Sequence, residues 1–207
     1  MPAEKYITGS CCISDGIVSK NGIKVFENPD VDLHSFLLSV YQYLEISYPK
    51  FYKMDNLSKL GWLTTEILLT NNYNNDNYQP EETGVILANA SSSLDNDVKY
   101  FSSVNDVPSP SLFVYTLPNI VIGEICIRNN FKGEHALFIQ DVFNVDFIVK
   151  QVSYLLDENS LQACVCGWVE VLGEAYKSTL YLVEKQKCGG SVLFTHENAD
   201  RIFKNSK

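Results

Sequence analysis

The side chains best suited to nucleophilic or metal chemistry are six cysteines, Cys11, Cys12, Cys126, Cys164, Cys166 and Cys188, and three histidines, His34, His135 and His196. A thiolate can attack an acyl carbon, and thiolates with imidazoles can bind zinc. Their spacing supports neither role. There is no Cys-x-x-Cys pair, and the histidines are widely spread, so neither a metal site nor a cofactor is expected. Cys164 and Cys166 lie in "LQACVCGWVEV", where residues two apart share one face of a strand; the adjacent Cys11 and Cys12 face opposite ways. All six read as small buried hydrophobes in a reducing compartment.

One stretch has the layout of a reactive turn. "KGEHALFIQDVFNVDFIVKQVSYLL", Lys132 to Leu156, predicts a Gly turn, a short apolar strand over 136–140 and a helix over 143–156. Many enzymes place a nucleophile where such a strand feeds a helix. Here the junction is Gln140-Asp141-Val142-Phe143, with no Cys or Ser. Asp141 can cap the helix, worth about 1 kcal/mol; as a general base it has no partner in sight.

The elements around this junction follow from patterning. With 207 residues, 45% hydrophobic and 20% charged, the chain can bury a substantial core, and one domain over 1–207 is expected. The formal net charge of -9 argues against nucleic acid or an anionic membrane as main partner. No apolar run approaches the roughly 18 residues of a membrane span. "MPAEKYITGS" lacks an apolar signal region, so a cytoplasmic location is expected.

A first strand is predicted at 5–15 and helices at 30–47 and 54–72, the first capped by Asp30 or Asp32. An Asn-rich loop (71–83) leads to a buried strand at 84–92 and a short helix from Ser93. The Pro-punctuated 108–118 reads as irregular, and 119–133 as a helix capped by Asn119 and closed by Gly133. A strand at 160–173 and a closing pair, "STLYLVEKQ" and "GGSVLFTHE", complete the series. The alternation implies an α/β fold with a mainly parallel layered sheet.

In this order the pieces resemble the N-terminal half of β-ketoacyl synthases, condensing enzymes of the thiolase-like superfamily. The family's "VVVTGLGVVS" stands beside "KYITGSCCIS", "MDRLSRLAL" beside "MDNLSKLGW", and "GVVVGTG" beside "GVILANA". The family's N-x-x-x-G before a helix ending "GLRGP" stands beside Asn119, Gly123 and "NFKGE". Its strand ending "GGAE" stands beside "CGWVE", with Glu170 in the matching place. The match is best from Met54 to Glu170. It implies a thiolase-like half, a five-stranded sheet with helices on both faces, and a short form without the C-terminal half.

The resemblance also places the family's nucleophilic Cys at Val142, flanked by Asp141 and Phe143; none of the three can be acylated as a thiolate is. The family's two catalytic histidines belong to the C-terminal half, and His34, His135 and His196 match neither. Some relatives with Gln in place of Cys are non-catalytic chain-length factors, but Gln140 stands two positions early. Cys126 reads as a packed thiol and Glu170 as a structural carboxylate. The family's dimer strand corresponds to His135, Ala136, Leu137, Phe138, Ile139 and Gln140.

Three functions are implied. The first is a catalytically silent ketosynthase-like protein, an accessory or heterodimer partner in fatty-acid or polyketide/aryl polyene-type biosynthesis. The second is an acyltransferase or thioesterase acting on acyl-carrier thioesters through an unrecognised nucleophile. The third is a structural homodimer with no acyl role. Expected partners are a ketosynthase or a second copy, and an acyl carrier protein that Lys20, Lys24, Lys50, Lys53, Lys59, Arg128 or Lys132 would dock.

Overall fold

The computed structural model describes residues 4–104 and 108–205. Met1–Ala3 of the segment read for a secretory signal, and Asn105 at the end of the short helix expected from Ser93, lie outside them. The strands are β1 (Tyr6–Ser14), β2 (Ile17–Lys20), β3 (Ile23–Glu27), β4 (Thr83–Asn89), β5 (His135–Ile139), β6 (Ala163–Leu172), β7 (Ala175–Glu184) and β8 (Val192–Leu193). The helices are α1 (Leu33–Tyr43), α2 (Asn56–Leu69), α3 (Leu94–Ser103), α4 (Pro110–Val114), α5 (Ile120–Asn129), α6 (Val145–Asp157) and α7 (His196–Lys204).

The strands form one eight-stranded mixed sheet in the order β3-β2-β1-β7-β6-β4-β5, with β8 also paired to β1. The α/β class holds, with helices on both faces. The expected five strands become eight, and the sheet is mostly antiparallel: parallel pairing is confined to β4 with β5 and β4 with β6. Two short turns account for much of the difference. Asp15-Gly16 and Asn21-Gly22 have φ of 50° and 72°, and 52° and 77°, as a type I′ hairpin turn requires. They fold β1, β2 and β3 into antiparallel neighbours.

Two apolar cores flank the sheet. On one face Phe36, Leu37 and Val40 of α1, Trp62, Leu63 and Leu68 of α2 and Val121, Ile122 and Ile125 of α5 meet Ile13, Val85, Leu87, Val165 and Leu182. On the other, Val145, Ile148, Val152 and Leu156 of α6 and Ala199 of α7 cover Ile86, Cys164, Cys166, Tyr181 and Val183. The shared face of Cys164 and Cys166 is thus confirmed. Burying one such aliphatic side chain contributes about 1.5–3 kcal/mol, so these seams hold the helices in place.

Several boundaries move for local reasons. Asp32 caps α1 by accepting from Ser35 N. Residues 108–118 contain α4, because Pro110 suits a first helical turn and Ser109 caps it. Asn119 sits at the start of α5 without a side-chain cap bond, and the helix ends at left-handed Asn130 (φ 56°), ahead of Gly133. The second closing strand shrinks to the two residues of β8. Thr195 then accepts from Asn198 N and starts α7, whose Ala199, Ile202 and Phe203 pack on the second core. No helix among the described residues is long and apolar enough to cross a membrane.

Candidate functional site

The junction lies where expected, at the C-terminal end of β5, but it is longer than its pattern suggests. The strand ends at Ile139 and the helix starts at Val145. Gln140 N donates to Asn89 O (2.9 Å), which ties the ends of β4 and β5 together. The Gln140 side-chain oxygen accepts from Asn144 N (3.2 Å). Asn144 is the cap, its Oδ1 accepting from Phe147 N (3.0 Å). The expected cap, Asp141, is displaced because the turn runs longer and brings Asn144 to that position. Asp146 in the first turn suits the positive end of the helix dipole and pairs with Lys150 at 2.5 Å.

Aromatic packing fixes the loop from below. Phe143 lies 5.7 Å from the Trp168 ring and 4.7 Å from the Phe203 ring, and Lys177 Nζ stands 4.1 Å over Phe203. Phe138 meets Phe147 edge-on at 4.7 Å. Val142 is therefore lifted into solvent, 73% exposed. It precedes the cap residue and has no lone pair to offer. Asp141 is exposed beside it.

Glu170 forms the floor. Its Oε2 accepts from Ala90 N (2.6 Å) and Ser91 N (3.1 Å), so the carboxylate holds the chain leaving β4 against β6. That is a structural task, as the sequence suggests. The other reactive types are dispersed. Cys126 is half-buried on α5 and burial pushes its thiol up to about 11; Cys11 and Cys166 are fully buried and pushed up for the same reason. Two cysteines depart from the expected burial: Cys126 in part, and Cys188, which is exposed. His135 opens β5, His34 lies on α1 and His196 opens α7, so the structure does not gather them. No group of three or more His, Cys, Asp or Glu among the described residues is arranged to hold a metal.

The outer edge of β5 is the second feature. On one side β5 pairs with β4, from Val85 opposite His135 to Asn89 opposite Ile139. On the other side no strand pairs with it among the described residues. Its sequence, "HALFI", holds no Lys, Pro or carboxylate, the usual guards of an open edge. The opposite edge, β3, carries the ion-paired Lys24 and Glu27. Ile139 at the end of β5 is 53% exposed.

The α/β fold is similar to that of solved ketosynthases. No protein-family model matches the chain, and no curated protein matches it. Solved structures do. The ishigamide ketosynthase/chain length factor is similar with a TM-score of 0.61 and 17% identity, over 87% of this chain and 62% of that one. A type II polyketide synthase acyl-carrier protein complex with its ketosynthase, AntDE:AntF, gives 0.60 and 12% over 89% and 63%. The ketosynthase ApeO with its chain length factor ApeC, from Xenorhabdus doucetiae, gives 0.58 and 11% over 90% and 80%. The chain spans less than two thirds of the first two. At these identities the likeness is one of fold.

Proposed function

We propose that this chain is a catalytically silent ketosynthase-like protein. It pairs through β5 with a ketosynthase and serves that enzyme as an accessory in fatty-acid or polyketide-type chain building. The observation that carries this is the unguarded edge of β5, joined to a junction whose side chains, Gln140 to Asn144, include no thiol, hydroxyl or imidazole. A free apolar edge is a template for another strand. An antiparallel partner strand would add its ladder at Ala136, Leu137 and Phe138. That ketosynthase/chain length factor pairs share this fold supports the reading.

Docking of an acyl carrier protein is the weaker part. A ketosynthase of this fold is known with its carrier bound. Yet the basic candidates on this chain are mostly committed. Lys24 pairs with Glu27, Lys50 with Glu124, Arg128 with Glu66 and Lys132 with Glu81, Lys20 donates to Thr70 O, and Lys59 is buried. With a net charge of -9, the carrier docks on the ketosynthase partner rather than here.

The test is purification of the full chain from its source cells, with peptide identification of what co-elutes. A ketosynthase carrying a cysteine at its own junction is the expected companion. Hydrolysis of an acyl-pantetheine thioester by the chain alone would instead favour the acyltransferase or thioesterase reading.

A further inference from the structure

The outer side of β1 is paired at both ends and open between them. Strand β8 pairs with Tyr6 and Ile7, and β2 pairs from Cys11 to Ser14. Asn21 closes the Ser10 position: Ser10 N donates to Asn21 Oδ1 and Asn21 N donates to Ser10 O, each at 2.8 Å. Thr8 and Gly9 are left between the two strands, where the pairing with β7 also shifts register. A cleft of about 810 Å³ opens at this gap. That volume falls within the roughly 300–1,000 Å³ of small-molecule sites. The β2–β3 hairpin, Asn71 and Asn72 after α2, and the Cys188–Gly190 turn with α7 form its walls. Gly9 admits the second wall, because a Cβ there would lie 2.5 Å from Asn72 Nδ2.

The lining departs from the acidic character of the chain. It carries Lys24 and Arg201 and, among the described residues, no carboxylate, on a protein with a net charge of -9. Arg201 Nη2 donates to Asn198 Oδ1 (3.1 Å), which leaves the rest of the guanidinium fork open. Lys24 pairs with Glu27, but both side chains are 54% exposed, and such a pair exchanges readily for a ligand. The side chains of Ser19, Asn71 and Asn205 make no hydrogen bond among the described residues, so they are available to a polar ligand. No aromatic ring lines the cleft, so a nucleobase has no platform on which to stack. We infer that this cleft binds a small phosphorylated polyol of the sugar-phosphate class, with Arg201 and Lys24 on the phosphate and the asparagine and serine side chains on the hydroxyls. Charge selects the phosphate: a phosphate monoester carries about -1.5 to -2 near neutral pH, which two cations match and one carboxylate does not. Volume selects the polyol, since an inorganic ion fills little of the space. In the sheet, β7, β6 and β4 separate β1 from β5, so this site is distinct from the junction and from the pairing edge.

The experiment is isothermal titration calorimetry of the full chain, joined to maleimide labelling of Cys188. The probes are glycerol 3-phosphate, ribose 5-phosphate and glucose 6-phosphate, with glucose and inorganic phosphate as controls. Cys188 is exposed and lines the cleft, so its labelling reports occupancy in the unmutated protein. The inference expects at least one phosphorylated probe to bind about tenfold more tightly than either control, as a contact between charged groups added to the polyol contacts would give. That probe at saturation should slow labelling of Cys188 several-fold and leave Cys126, on α5, unchanged. Arg201→Gln should weaken its binding about tenfold, and Arg201→Lys, which keeps the charge, should recover part of the loss. Failure of all three phosphorylated probes to bind or to protect Cys188 overturns the inference. Inorganic phosphate binding as tightly as the best probe shows an adventitious ion only and overturns it too. So does glucose binding as tightly, which removes the phosphate from recognition, or unchanged binding in Arg201→Gln, which moves the ligand elsewhere.

Discussion

Glu170→Ala removes the carboxylate that anchors the start of the β4–α3 connection. Its Oε2 accepts from Ala90 N at 2.6 Å and Ser91 N at 3.1 Å. A hydrogen bond to a charged group contributes about 1.5–3 kcal/mol, so two would total about 3–6. Glu170 is only half-buried, and water admitted by the smaller side chain reoccupies part of the space. Its Oε1 is buried without a hydrogen-bond partner, a cost the truncation relieves. The net loss is then about 2–3 kcal/mol, or about 4–12 °C in Tm for a chain of this size. Glu170→Gln keeps an oxygen acceptor and loses only the charge, about 1 kcal/mol. Thermal denaturation followed by circular dichroism gives both shifts. Amide exchange at Ala90 and Ser91 should quicken in Glu170→Ala and much less in Glu170→Gln. A Tm within about 1 °C of wild type, with unchanged exchange at those amides, refutes the argument that this carboxylate is structural.

Other consequences follow from the same contacts. Gln140→Ala frees Asn144 N and should lower Tm by about 2–4 °C, the effect of one hydrogen bond of about 1 kcal/mol, in a thermal melt. Ile139→Lys guards the open edge while touching little of the core. It should leave Tm within about 2 °C, a surface substitution costing under about 0.5 kcal/mol, yet abolish ketosynthase co-elution in gel filtration. Maleimide should label Cys188 first in the native protein, as peptide mapping will show. Cys126, its thiol pushed up to about 11 by burial, stays protonated near neutral pH, and its labelling rate should climb as pH rises toward that value. Val142→Cys should react with maleimide readily but accept no acyl group from an acyl-pantetheine thioester faster than Cys188 does, because it stands ahead of the Asn144 cap, outside the helix start.

What could be read in advance depended on whether local pattern and tertiary packing agreed. The periodicity of α1, α2 and α6 matches the faces they bury, so these helices are legible. The Asp15-Gly16 and Asn21-Gly22 dipeptides announce two hairpins, a signal in the sequence that the strand count overlooked. Thr195 with Ala199, Ile202 and Phe203 is likewise a capped amphipathic helix concealed in a segment that begins as a strand. Helix α3 is different. Its apolar stripe would be assigned to the core, and only the pairing of Asp95 with Gly173 N and of Asn96 with Leu112 O turns it outward. Those partners lie far along the chain or in a neighbouring helix, so no local window contains them. At the junction, counting located Val142 on the strand–helix connection. Its exposure depends on Phe143 being drawn down between Trp168 and Phe203, which are contributed by β6 and α7.

The claim on which the rest depends is that this scaffold holds no acylatable group at its junction. Peptide mass spectrometry after incubating the full chain with an acyl-pantetheine thioester tests it directly. The account predicts that the peptide spanning Ile139 to Asn144 keeps its unmodified mass; an acyl adduct on any side chain within it contradicts the account.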